Sequence, residues 1–346
     1  MKRETQKLSA QLKAKVSNKK PAEKKEYDGD FEQVISTGST LLDLAISGGR
    51  IRGGGLPGGI LVEIFGPASS GKTVLLCEIA GKVQRAGGSI MFRDPEARLN
   101  KLFAKLFDLD VDTIDYATPN TVPEVFEPIR KWQPEGKAIH GIFADSLAAL
   151  TTEWEVEGKD EYGMRRAKQF SEQCRLTCRT LTEKKYLMVC SNQVRQNLDA
   201  GQFGQKFKSP GGEAIGFYAS LRLRIIGSKK IQQTEKVAGK EVKRPIGVES
   251  QIEVFKSSVW KPYRTAPLTV LFDYGIDDIR DCLQFLKTYT KNSVYSIGDH
   301  KLSQSMEDSI SIVEGDRLEN KLKEETIDLW EEIENKFNSG RKNKKR

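Results

Sequence analysis

The chain has 346 residues, 38% hydrophobic and 30% charged, with a formal net charge of +8. That length supports one large core and one or two small modules. No apolar run approaches the ~18 residues that cross a bilayer, so no membrane partner is expected. The N-terminal stretch MKRETQKLSAQLKAK lacks an apolar h-region and is not expected to be a secretory signal. Five cysteines without a CxxC pair, and only two histidines (His140 and His300), argue for reduced thiols in a cytoplasmic protein and against a zinc site. The charge is uneven. Residues 1–26 hold nine Lys/Arg against three Glu, and the tail RKNKKR adds five cations, which leaves the body at −3. Basic ends either solubilise the chain or meet a polyanion.

Leu8, Leu12 and Val16 recur at helical spacing, which predicts a short amphipathic helix over residues 3–17. SNKKPAEKKEYDGD follows as a linker. From Ile35 to Asp273 strand and helix patterns alternate: ILVEIFG as a strand, TVLLCEIAGKVQRAGG as a helix closed by Gly87, then SIMFRD and IHGIFADS as buried strands. Arg165–Lys185 reads as a helix with Phe170, Cys174, Thr177, Cys178 and Leu181 along one face, and YLMVCSN as the next strand. Near-continuous apolar strands between helices predict an α/β fold with a mainly parallel, doubly covered sheet. Later strands alternate, with Leu221, Leu223 and Ile225, then Ile252 and Val254, then Leu268, Val270 and Phe272 turned inward. These are expected to be antiparallel and half buried, with Arg222 and Arg224 on a solvated face. After Gly275 the pattern predicts a helix over 277–290, a small hairpin in VYSIGDHKLSQ and a charged helix over Glu319–Phe337. The expected organisation is therefore an N-terminal element (1–34), a core (35–275) and a small C-terminal domain with a basic tail (276–346).

Gly66-Pro67-Ala68-Ser69-Ser70-Gly71-Lys72-Thr73 fits G-x-x-x-x-G-K-T between a strand and a helix, the context that distinguishes a phosphate-binding loop from a chance match. Its glycines let backbone N–H groups turn onto phosphate oxygens, and the helix N-terminus adds its dipole. Lys72 is placed to reach the β- and γ-phosphates and the Thr73 hydroxyl to ligate Mg²⁺. Asp145, at the end of GIFADS, supplies either the carboxylate of the magnesium shell or a cap for LAALTTEW. Glu96, in RDPEARL, is a general base or water-orienting group, or else a surface ion pair. Gln193, at the end of YLMVCSN, is either a sensor of the γ-phosphate or a plain strand-end amide.

In this order the segments STGSTLLDLAISGG, GPASSGKT, DPEARL, ADSLAAL, EVEGKDEYGMRRA, SNQVR, PGGEAIGFYASLRLRI and EVFKSSVWKPY resemble the bacterial-type RecA recombinases, from Ile35 to about Phe337. The resemblance implies a RecA-like P-loop ATPase core with an N-terminal helix and a small α/β C-terminal module. It implies ATP and Mg²⁺ as cofactors, single-stranded and double-stranded DNA as partners, and a homo-oligomeric helical filament that performs homologous pairing and strand exchange. By resemblance Lys72, Thr73, Glu96, Asp145 and Gln193 take the roles above, and Asn100 and Phe103 lie near the nucleotide, with Phe103 stacking near the adenine. Loops at Glu157–Arg166 and Val194–Gly212 contact DNA, through Lys159, Met164, Arg165 and Arg166 in the first and Arg195, Phe203, Lys206, Lys208, Gly211 and Gly212 in the second. Cations there would contact phosphates and apolar side chains would wedge between bases. Phe217 and Lys256 match residues at the subunit interface, and the N-terminal helix matches the element that docks on a neighbour.

Departures accompany the likeness. Ser258 stands where the family commonly presents a second trans lysine, so interface-activated hydrolysis is expected to be weaker or to use another residue, Lys261. Ala68 replaces a commonly acidic residue, KKIQQTEKVAGKEVKRPIG is long, and the tail is basic rather than acidic. These mark a divergent member, and a phage origin is compatible with them. A nucleotide-gated protein that coats single-stranded DNA, and a RecA-fold motor, are the alternatives.

Overall fold

The computed structural model describes residues 31–152, 164–193, 195–196, 207–208, 214–290, 292–337 and 339–341. The predicted N-terminal helix and most of both predicted DNA loops lie outside the described residues.

Strand β1 (Val34–Ile35) pairs with β2 (Leu56–Pro57), and helix α1 (Thr40–Ser47) runs between them, capped by the Ser39 hydroxyl. Strand β3 (Ile60–Gly66) leads into α2 (Lys72–Arg85). There follow β4 (Ile90–Arg93), α3 (Lys101–Lys105), β5 (Asp115–Ala117), α4 (Val122–Lys131) and β6 (Gly141–Ala144). The long α5 (Met164–Lys184) precedes β7 (Leu187–Gln193). Two short strands, β8 (Arg195–Gln196) and β9 (Phe207–Lys208), pair with each other. Helix α6 (Ala214–Tyr218) then leads to β10 (Leu221–Val237), β11 (Lys240–Ser257), β12 (Thr265–Leu271) and β13 (Gly275–Ile276). Last come α7 (Asp278–Thr290), the hairpin β14 (Ser296–Ile297) and β15 (His300–Lys301), α8 (Met306–Gly315) and α9 (Glu319–Lys336).

Nine strands form one sheet in the order β13-β12-β11-β10-β3-β7-β6-β4-β5. From β10 to β5 every pairing is parallel, and from β10 to β13 every pairing is antiparallel. Both halves of the expectation hold, and the reason lies in the strands. β3, β4, β6 and β7 are buried on both faces and mostly apolar because helices cover both, whereas β10 to β12 alternate. On one face Leu61, Ile142, Met188 and Cys190 pack with Val125, Phe126 and Ile129 of α4 and Phe170, Cys174 and Leu181 of α5. The alternate residues Val62, Ile64, Phe92, Phe143 and Val189 are equally buried, as are Leu75, Leu76 and Ile79 of α2.

Beyond Ile226 the β10–β11 pair continues as a ribbon of mostly exposed residues to the turn Ala238–Gly239, where both residues have positive φ (51° and 79°). This ribbon accounts for the long segment noted in the sequence.

Three expectations need correction. LAALTT, the described part of LAALTTEW, opens no α-helix: Leu147–Ala149 makes one 3₁₀ turn. Phe272 lies beyond β12 and is exposed, because the chain has already turned at residues 272–274. Arg222 and Arg224 share a face that is only partly solvated: Arg222 is largely enclosed and pairs with buried Glu63, while Arg224, more exposed, pairs with Glu253. The sequence reading also missed α8, whose Val313 joins Cys282, Leu283, Leu286, Ile297 and Leu322 in a separate C-terminal cluster.

The C-terminal helices join the core through polar and aromatic contacts. Arg264 donates Nε and Nη2 to Glu334 (2.8 and 2.9 Å), and Trp260 meets Trp330 with 5.5 Å between ring centroids. Trp260 lies over Gly48 (φ 54°), where a Cβ would come within 2.6 Å of the indole, so glycine is required by both space and backbone. Buried carboxyls also line this junction. Asp278 accepts from the N–H and hydroxyl of Thr40, and Asp281 from those of Thr269. Burial pushes Asp281 up to about 7 and Asp43, on α1, up to about 6, from 3.8. The folded state thus holds these protons more tightly than the unfolded chain. The stability they contribute is fully present below pH 3.8 and is lost as pH rises through about 6 to 7. The melting temperature is therefore expected to fall between pH 5 and pH 8, and Asp281→Asn, which has no proton to lose, is expected to flatten that fall in thermal melts.

Candidate nucleotide site

The site is built where β3, β6, β7 and β4 end on one side of the sheet. β3 runs straight into the loop Gly66–Gly71, whose sharp return uses left-handed backbone at Ser69 (φ 56°) and Gly71 (φ 93°). Ser70 Oγ donates to the Pro67 carbonyl at 2.8 Å and braces the loop, while Pro67, Ala68 and Ser69 form its exposed crest. Lys72 opens α2 and is buried, and its Nζ donates to the carbonyls of Gly66 (3.2 Å) and Pro67 (2.5 Å). Burial lowers the pKa of this ammonium, and the nearby carboxylates Asp145 and Glu96 oppose that shift. The cation is satisfied by weak carbonyl partners that a phosphate oxygen would replace favourably.

Asp145 follows β6. Its carboxylate accepts from Thr73 Oγ1 at 2.7 Å and, on the other oxygen, from Ser191 Oγ of β7. Burial raises its pKa, and these two hydroxyls pull it back. The carboxylate does not cap the 3₁₀ turn, which has no side-chain cap, so of its two readings the geometry favours the one beside Thr73. Among the described residues no group of three or more His, Cys, Asp and Glu could cage a metal. One hydroxyl and one carboxylate suit Mg²⁺, which keeps waters and takes its remaining ligands from phosphates. The residues present therefore fit that ion.

Glu96 sits in the turn after β4. Its Oε1 accepts from Ser146 Oγ at 3.1 Å, and its Oε2 lies 2.6 Å from Arg98. It thus makes an ion pair, yet it faces Ser146, the residue after Asp145. Asp94, fully buried, holds this turn by accepting from Leu99 N–H (2.8 Å) and Tyr116 OH (3.0 Å). Burial and that carboxylate push the Tyr116 phenol up to about 12. Gln193 ends β7 beside Gly66 of the loop, with an exposed side chain. Its N–H donates to the Asn192 side chain at 3.0 Å.

Other predicted residues lie further out. Asn100 caps α3, accepting from Phe103 N–H at 2.9 Å, and Phe103 stands edge-on to Phe107 at 5.0 Å. Lys256 donates to the carbonyls of Gly216 (3.0 Å) and Phe217 (2.8 Å), and Phe217 is 73% exposed. Lys261 pairs with Glu334 at 3.3 Å and lies over the Trp260 ring, so within this chain it is already engaged. Arg166 points inward, donating to Ala148 O at 2.8 Å. Arg195 and Lys208 face each other across β8 and β9, described only in backbone. Lys159, Phe203, Lys206, Gly211 and Gly212 lie outside the described residues, as do the side chains of Met164 and Arg165.

Sequence reasoning missed Asp94, Ser146 and Ser191 around the site, and Glu63 beneath it. Only Glu63 carried a signal, a lone charge inside the apolar strand ILVEIFG.

Residues 19–277 match the family model described as RecA N-terminal domain. The chain is 33% identical over 280 residues to Protein RecA of Thermus aquaticus, covering 79% of this chain and 78% of that protein. It is 35% identical over 283 residues to Protein RecA of Borrelia turicatae, covering 80% and 74%. Against Protein RecA of Borrelia hermsii it is 33% identical over 301 residues, covering 84% and 81%. A family model spanning most of the chain and relatives of this identity, on a nine-stranded sheet whose phosphate loop, Thr73–Asp145 pair and Glu96 meet where the central parallel strands end, place the chain in the RecA family.

Proposed function

We propose that this protein is a DNA-dependent ATPase of the cytoplasm that forms helical filaments on single-stranded DNA and catalyses homologous pairing and strand exchange. The observation that carries this is the convergence of Lys72, Thr73, Asp145 and Glu96 where the central parallel strands end, with Gln193 at the neighbouring strand end. Membership of the RecA family supports the recombinase reading.

On this reading the N–H groups of the loop and the positive end of α2 receive the phosphates of ATP. Lys72 exchanges its two loop carbonyls for phosphate oxygens. Thr73 and Asp145 would hold a magnesium ion, which would supply neutralisation of the phosphate charge. Glu96 orients the attacking water and accepts its proton, and Arg98 holds the other carboxylate oxygen. Gln193 reads the γ-phosphate and passes its presence to the segment that follows, Val194–Gly212, which contacts DNA along with Glu157–Arg166. Phe217 and Lys256 face the next protomer.

A specific observation favours a second reading. Ser258 carries no cation, and its N–H is bonded to Ser220 O at 2.7 Å, while Lys261 is held by Glu334. With one trans cation fewer, the protein would bind DNA under nucleotide control and turn over little. Single-stranded-DNA-stimulated phosphate release separates the two readings, since turnover at the background rate favours coating.

Three outcomes are expected. In a strand-exchange or D-loop assay with ATP the wild type forms joint molecules and Lys72→Ala does not; no exchange by a wild type that binds single-stranded DNA would sink the recombinase reading. Glu96→Gln lowers kcat by about 10²-fold or more while leaving nucleotide affinity near wild type, measured by steady-state kinetics and equilibrium binding. Deleting Asn197–Lys208 abolishes DNA binding in a fluorescence anisotropy titration and leaves the thermal melt close to wild type.

A further inference from the structure

Glu63 is fully buried in the middle of β3, on the face opposite the nucleotide site. A carboxylate there must be paired. Two residues pair it, from the strands on either side. Asn192 Nδ2 of β7 donates to Oε1 at 3.0 Å, and Arg222 Nε of β10 donates to Oε2 at 2.6 Å. Arg222 is itself enclosed. Its guanidinium lies over the rings of Phe65 (4.6 Å) and Phe255 (5.4 Å). It also presses on α6, where a Cβ added to Gly216 would come within 2.8 Å of its Cζ and Nη1. Lys256, opposite Arg222 in the β10–β11 register, holds the next carbonyls of that helix. Burial and the Arg222 charge lower the pKa of Lys256.

This contact chain joins two ends. Asn192 accepts from Gln193 N–H, so Glu63 is one residue from the strand end beside the phosphate loop. Arg222 abuts Gly216, so it is one residue from exposed Phe217. We infer that the Glu63–Arg222 pair is a positioning device that fixes Gln193 relative to the Phe217–Lys256 face, so that nucleotide-dependent placement of one is transmitted to the other. The inference rests on the proposed reading of Gln193 and of that face. On that reading neither Glu63 nor Arg222 touches nucleotide or DNA.

The test compares wild type, Glu63→Gln, Gly216→Ala and Glu63→Gln/Arg222→Gln in full-length protein. Hydrolysis is followed without DNA and across a titration of single-stranded DNA. Glu63→Gln keeps the acceptor for Asn192 but strands the Arg222 charge. Gly216→Ala leaves both charges in place, favours the helix and forces the guanidinium to move. In both, nucleotide affinity and basal turnover are expected to stay near wild type; the melting temperature is expected to fall in Glu63→Gln, which leaves a buried charge unpaired, and to stay near wild type in Gly216→Ala. The DNA concentration for half-maximal stimulation is expected to rise at least tenfold. The double variant, which replaces the ion pair by two amides able to bond each other, is expected to recover at least half of that loss on a logarithmic scale. A DNA response like wild type in both single variants would overturn the inference and leave the proposed function standing. Losses of nucleotide affinity and basal turnover as large as the loss of DNA response, in both single variants, would overturn it by making the pair merely structural. A wild type that DNA does not stimulate would remove the proposed function, and the inference with it.

Discussion

The carboxylate of Asp145 is where the architecture of the site is tied together. Burial makes its charge costly, and the charge is met by two hydroxyls from different elements, Thr73 at the start of α2 and Ser191 in β7. One side chain therefore sets the spacing of β6, α2 and β7. β7 is the neighbour of β3, so the phosphate loop at the end of β3 is held by the same contacts that hold the carboxylate. Lys72 follows from the same requirement. A buried ammonium needs acceptors, and the loop's own carbonyls supply them while nearby Asp145 and Glu96 offset the cost of burial. The loop is thus braced from inside and exposes only Pro67, Ala68 and Ser69.

What was legible in the sequence is what depends on spacing along the chain. G-x-x-x-x-G-K-T places Lys72 and Thr73 by local geometry alone, and a carboxylate at the end of an apolar strand lands at the sheet edge because strands end there. The parallel sheet, the antiparallel extension and the long helix before β7 were legible for the same reason: burial on one or both faces writes itself into the apolar pattern. What was not legible depends on a partner distant in sequence. Arg222 alternates with Leu221 and Leu223 as a solvated residue would, and nothing local reveals Glu63 lying 159 positions away. Asn100 carries the mark of a helix cap as much as of a ligand, and in the fold it caps α3. Phe272 continues an apolar alternation by one residue past the point where the strand has ended.

The departures from the family pattern have structural correlates. Lys261 cannot stand in for the cation absent at Ser258 without leaving Glu334, a carboxylate whose pKa Arg264 and Lys261 hold below its ordinary value. Exposed pairs of this kind contribute little to stability one by one. Glu334 is nevertheless shared by two cations beside the Trp260–Trp330 contact, so moving Lys261 would also disturb the seam between core and C-terminal helices. On the proposed reading, Lys256 is then the cation that remains for the neighbouring protomer, and within one chain its amine is parked on the carbonyls of α6.

Strand β7 shows how one element can serve both faces of the sheet. Its side chains alternate, so Ser191 turns toward Asp145 and Asn192 toward Glu63. A shift of β7 along its axis would strain both bonds together. Stability alone does not account for the lower pair, because a buried ion pair is often no better than well-packed apolar side chains. An apolar pair would fill the space but would leave Asn192 without its acceptor and Gly216 without the guanidinium that packs against it. What the charges add is direction: two bonds of fixed geometry from one carboxylate to the strands on either side of the phosphate loop. That is the property required of a part that must keep a strand end and a surface helix in register.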